Sequence, residues 1–145
     1  MNTKEQLAIE LAAIAGGGRD HPSLAWRLEA GEAMAVAQQC LSQGSLSPEL
    51  CSLVLADSFQ TRLGAMVALE EIASRSPDLA ARAAAGMTHL LTDAEPRNRG
   101  DVAFMLGRLG RPEVIPQLER LLADPDPSVA DAAQEAAMRL KKSPR

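Results

Sequence analysis

The chain has no tyrosine, one tryptophan and two phenylalanines. Its core must therefore be assembled from Leu, Ala, Val, Ile and Met, and a base-stacking aromatic surface is excluded. Only Cys40 and Cys51 carry thiols, with no CxxC spacing, so neither a disulfide framework nor a zinc site is encoded. There is no apolar run long enough to cross a bilayer. There is no excess of positive charge either. The formal net charge is −4, which gives no global attraction for nucleic acid or anionic lipid. The opening MNTKEQLAIELAAIAGGG has the outline of a signal peptide, but Glu5 and Glu10 interrupt its apolar stretch. A cytoplasmic protein with neither membrane nor nucleic-acid partners is the expectation.

What is present is helix-forming. Apolar residues make up 46% of the chain. Alanine and leucine dominate them, and β-branched residues are sparse. The composition points to an all-α protein of one domain.

One outline is written more than once. LLTDAEPRNRGDVAFMLGRL, from Leu90, and LLADPDPSVADAAQEAAMRL, from Leu121, register without a gap. Asp93 falls on Asp124, Pro96 on Pro127, Arg108 on Arg139 and Leu109 on Leu140. A third copy begins LVLADSFQTRLGAMVALEEIA, where Asp57, Arg62, Ala65, Leu69 and Ile72 fill the same places. A period of about 30–40 residues marks a helical solenoid, in which stacked helix pairs bury faces that no pair could bury alone. Helices are expected from Pro77 to about Asp93, from Pro96 to Gly110, from Pro112, and from Pro127, because proline is tolerated in a first helical turn and glycine ends helices. The turn aspartates Asp57, Asp93 and Asp124 are placed to cap the helices that follow. Arg62 and Arg99 are expected to pair with such aspartates between repeats.

The stretch GRLGRPEVIPQLERLLADPDPSVADAAQEAAMRL resembles HEAT repeats, most closely the short HEAT-like type named after the phycobilisome lyases. Asp93, Arg99, Val102, Ala103, Leu106, Gly107, Leu109, Gly110, Pro112 and Glu113 carry the likeness, with Asp124, Val129 and Ala133 in the last copy. The resemblance implies a right-handed α-α superhelix with a concave binding face. Three clear helix pairs are expected at 46–75, 76–110 and 111–142, after a degenerate N-terminal pair at 1–45 and before a tail at 143–145. Within that first pair, residues 3–15 read as one helix. A second reaches Gln43 with a break near Gly31, and Ala33, Met34, Val36, Ala37, Cys40 and Leu41 form its apolar face. Trp26 reads as a cap over the open end of the core or as a binding anchor.

Catalytic signatures are lacking. His21 beside Asp20 has no nucleophile near it, and His89 reads as a helix-surface residue. The GGG of residues 16–18 follows a helix and has no P-loop lysine. Neither the acidic pair Glu70–Glu71 nor Asp124 with Asp126 requires more than a surface or turn role. No catalytic residue, metal site or cofactor is assigned. In the family pattern the second helix of each pair lines the concave face, and there Val67, Phe104 and Glu135 are equivalent. Phe104 stands where that pattern usually has a polar residue; it reads either as a binding anchor or as a side chain that tucks inward and fills a gap left by small alanines. Its neighbours Gly100, Asp101 and Arg108, with Glu71, Glu135 and Arg139 from adjoining copies, complete the expected partner-binding set. The reading is a non-enzymatic module that binds another protein. The alternative is a chaperone or lyase-like maturation factor acting on a cofactor-bearing protein. A homodimer through an open end of the stack is the other association the architecture allows.

Overall fold

The computed structural model describes residues 23–142. The expected helix at 3–15, His21, the triple glycine and the tail at 143–145 lie outside the described residues. Among the described residues eight α-helices follow one another: α1 (Leu24–Glu29), α2 (Ala33–Gln43), α3 (Pro48–Ser52), α4 (Phe59–Arg75), α5 (Pro77–Met87), α6 (Pro96–Leu109), α7 (Ile115–Arg120) and α8 (Pro127–Lys142). No strand occurs among the described residues. The protein is an all-α stack of helical repeats.

Two layers build it. The second helices α2, α4, α6 and α8 pack in series; α2 also packs on α1, α4 on α3 and α5, α6 on α5, and α8 on α7. The apolar register is the same in each long second helix. Ala65, Ala68, Leu69 and Ile72 on α4 correspond to Val102, Met105, Leu106 and Leu109 on α6, and to Ala133, Ala136, Ala137 and Leu140 on α8; all are buried. This spacing of three and four residues puts one stripe of each helix into a shared core.

Local chemistry sets the ends. Pro77, Pro96 and Pro127 each open a helix, and Gly110 ends α6 in the left-handed conformation, with φ 75°. Gly31, with φ 86°, makes the break between α1 and α2. Two boundaries differ from the sequence reading. The α-helix from Pro77 stops at Met87 and tightens into a 3-10 segment over Thr88–Thr92. Pro112 opens a 3-10 turn, and the α-helix starts only at Ile115. The aspartates also act one step earlier than expected. The Asp93 carboxylate accepts the Glu95 N–H and the Asn98 amide, and Asp124 accepts the Asp126 N–H. The residue that caps α4 is Ser58, whose hydroxyl oxygen accepts the Thr61 N–H.

The expected arginine ladder is present on one rung. Arg99 makes two hydrogen bonds to the Asp124 carboxylate, at 2.8 and 3.0 Å, and donates to the Asp93 and Ala94 carbonyls. Arg62 instead donates to the Ala56 and Asp57 carbonyls of its own turn. The two aspartates differ in their surroundings. Oδ2 of Asp93 accepts from the Asn98 amide. In the last copy the matching residue is Val129, which has no amide to offer.

The Arg99 and Asp124 side chains are only 14% and 4% exposed. The Arg99 guanidinium, with the Asp126 N–H, holds the Asp124 carboxyl below the ordinary aspartate range. Asp93 and Asp126 are lowered as well, chiefly by the Glu95 N–H and by Ser128. A depressed carboxylate binds protons less readily in the folded than in the unfolded state. Its contribution is thus complete above the unfolded value and drains away as pH falls through the folded one. The urea midpoint is expected to drop on acidification below about pH 4. Asp124→Asn should be less stable than the wild type at neutral pH, with a shallower decline in that acid window. An equally steep decline in the variant would remove Asp124 from the account.

Candidate functional site

Each of the four second helices leaves a large apolar side chain in solvent. Met34 on α2 is 47% exposed, Val67 on α4 38%, Phe104 on α6 54% and Met138 on α8 46%. The register explains why. With Val102, Met105, Leu106 and Leu109 pointing inward, position 104 lies on the opposite side of α6. Phe104 is therefore not a gap-filler for the core.

These residues line two depressions that lie side by side. One, of about 440 Å³, is bounded by Met34, Val67, Glu70, Glu71, Arg108 and Arg139. The other, of about 380 Å³, lies between α6 and α8 and is bounded by Phe104, Arg108, Glu135, Met138, Arg139 and Lys142. Gly107, Ala132 and Ala136 complete the second. Arg108 and Arg139 belong to both, so the two clefts form one trough across the second helices.

Six of the eight residues expected from the sequence meet here. Val67, Glu71, Arg108 and Arg139 share the first cleft, while Phe104, Arg108, Glu135 and Arg139 share the second. Gly100 and Asp101 line neither; they sit half-exposed one turn earlier on α6. Four residues were missed: Met34, Glu70, Met138 and Lys142. Met34 had been placed on the inward face of its helix. The inward stripe is taken by Ala33, Val36, Ala37 and Cys40, and Met34 is turned out of it. The repeat register puts Met138 on the buried Gly107 and so gives no signal for it.

The charges of the trough are unevenly satisfied. The Arg108 guanidinium pairs with Glu70 across the α4–α6 junction and lies 5.9 Å from the centre of the Phe104 ring. A cation at that range is attracted by the ring face. Glu71 is paired with Arg75 one turn on. Arg139, Lys142 and Glu135 make no ion pair with any described residue.

Elsewhere the titratable groups have structural work. Asp126 accepts the Ser128 N–H and hydroxyl at the start of α8. His89 is exposed on the 3-10 segment after α5. Trp26 is 41% exposed on α1. Cys40 and Cys51 are both buried and free. Burial pushes the Cys51 thiol up to about 11 and raises that of Cys40. The thiolate is the species that alkylates. At pH 8 Cys51 in the native protein should therefore react with iodoacetamide at least about 100-fold more slowly than in the urea-unfolded chain, and Cys40 more slowly as well. Equal rates in the two states would show that the thiols are accessible.

No group of three or more His, Cys, Asp or Glu side chains among the described residues is placed to hold a metal ion. No helix among them is long and apolar enough to cross a membrane. Residues 84–145 match the family model of the HEAT repeats. This stretch runs from the end of α5 through α6, α7 and α8, where the repeat is plainest in the sequence. HEAT repeats commonly mediate contacts between proteins. The chain has no match among curated proteins.

Proposed function

We propose that the chain is a protein-interaction module that holds a segment of a partner protein in the trough of the second helices, with Phe104 as its anchor. The observation that carries this reading is the row Met34, Val67, Phe104 and Met138, one exposed apolar side chain from each second helix. Single exposed apolar residues need no explanation, but a row of them that lines connected clefts marks a binding surface. Aromatic residues next to arginine are the usual energetic centres of such surfaces. The one hydroxyl that lines the clefts, Ser74, donates to the Glu71 backbone carbonyl rather than to a basic side chain. The finer likeness of residues 93–113 to the phycobilisome-lyase type supports a variant of the same reading, in which the partner carries a prosthetic group and the module assists its maturation.

Affinity capture from the native cell extract tests the proposal, with wild type and Phe104→Asp as parallel baits. A protein held by the wild type and lost by the folded variant is the expected result. Equal capture by both baits would move the site off the trough. A prosthetic group on the captured protein would select the maturation variant.

A further inference from the structure

We infer that the cleft between α6 and α8 receives an acidic protein segment that carries one bulky apolar side chain between carboxylates. The inference rests on the interaction reading above and specifies the chemistry of the partner. Phe104 on α6 and Met138 on α8 form facing apolar walls. The floor between them is made of the small residues Gly107 and Ala136, where the two helices approach so closely that a Cβ on Gly107 would lie 2.9 Å from that of Ala136. At about 380 Å³ the cleft is at the lower end of ligand-sized pockets, so it accommodates a side chain or two rather than a whole helix.

The rim supplies the charge argument. Three cations, Arg108, Arg139 and Lys142, surround the cleft with a single anion, Glu135. Glu70 already answers Arg108. Arg139 and Lys142 remain, both exposed and neither ion-paired among the described residues. They stand on successive turns of α8 with Met138 beside them. A cationic edge on a chain of net charge −4 is a local exception. The surplus negative charge lies in the N-terminal half, and repulsion from it is screened beyond about 8 Å in physiological salt. A carboxylate that met Arg139 would gain a forked, charge-assisted hydrogen bond. Lys142 offers a point charge to a second one.

A nucleic-acid strand fits the same rim poorly. Its phosphates would run past Glu135 and on to Glu70 and Glu71 in the adjoining cleft. Counterion release needs a track of cations, which the trough lacks. One aromatic ring also makes a poor platform for successive bases.

The test is random-peptide display against the full chain, followed by fluorescence anisotropy with a selected peptide. Phosphatidylserine vesicles and a single-stranded oligonucleotide serve as rival anionic probes. Selected peptides should share Phe, Leu or Met flanked by Asp or Glu. Their affinity should fall at least about 10-fold for Arg139→Glu and for Lys142→Glu, and should weaken with added salt. Arg120→Glu on α7 should leave it unchanged. Arg139 and Lys142 are exposed near the end of a helix, so these reversals leave the core intact, and circular dichroism checks it. Neutral or basic peptides that still depend on Phe104 would overturn the acidic occupant and leave the interaction reading standing. Peptides indifferent to Phe104→Asp would overturn both. Failure to select any peptide, or binding to vesicles or oligonucleotide in place of peptide, would overturn the inference as well.

Discussion

Replacing Gly107 with alanine is expected to destabilise the protein by about 1–3 kcal/mol, although alanine is the better helix former. The reason is the contact between α6 and α8. The added Cβ would meet the Cβ of Ala136 at 2.9 Å and its Cα at 3.0 Å. Neither atom can rotate away, since one is backbone and the other is fixed directly to it. The two helices must separate, and the buried residues beside the contact, Ala103, Leu106, Ala133 and Ala137, lose packing as they do. Gly100 lies two turns earlier on the same helix and reports the opposite sign. Its Cβ would meet nothing within 4 Å, and its backbone is not in the left-handed region. Gly100→Ala should raise stability by about 0.5–1 kcal/mol through helix propensity and reduced freedom of the unfolded chain. Urea denaturation of both variants separates the two effects. If Gly107→Ala is neutral or stabilising, the close approach of α6 and α8 is not what holds the last two repeats together.

The same contact shows how much of the fold the sequence made legible. The repeat aligned Gly107 with Met138, and a pairing of Gly107 with an alanine of α8 is what a close crossing requires. The inward stripe of α6 and α8 was readable because charged residues mark the outer face, Asp101 and Arg108 on α6 and Asp131, Glu135 and Arg139 on α8. It was not readable at the start of α2, where Ala33 to Ala37 are all apolar. That lack of contrast is why Met34 was assigned to the wrong face. The arginine ladder was half legible for a similar reason. Arg62 and Arg99 look alike in sequence, but the aspartates of the next repeats differ in their surroundings: Asp93 accepts from Asn98, and the matching residue in the last copy is Val129. Lys142 escaped notice because it lies two residues past Leu140, the last position that the repeat register supplies. In the structure it is still the last residue of α8. The residues that line the trough were therefore legible where repeat register and residue contrast agreed, at Val67, Phe104, Arg108 and Arg139. Met34 was missed where composition hid the phase of the helix.

Two neighbouring substitutions on α6 should separate folding from binding. Leu106 is fully buried in the core shared by the repeats. Its change to alanine leaves a cavity among residues held by two helix layers, and should cost about 2–5 kcal/mol of stability. Phe104 is two positions away and 54% exposed. Its change to alanine removes little buried surface, so the denaturation midpoint should move by no more than about 0.5 kcal/mol. Binding should respond in the reverse order. Phe104 supplies the only aromatic wall of the trough, and Arg108, held over its ring and paired with Glu70, keeps that wall in place. Loss of such an anchor typically removes about 2 kcal/mol or more of binding free energy, so affinity for a captured partner or selected peptide should fall at least about 30-fold. Leu106→Ala, measured at a temperature where it remains folded, should retain affinity within about threefold, because its side chain reaches neither cleft. Denaturation and anisotropy on the two variants give four numbers. A Phe104→Ala protein that binds as well as the wild type would show that the exposed ring is a feature of the surface rather than the centre of a site.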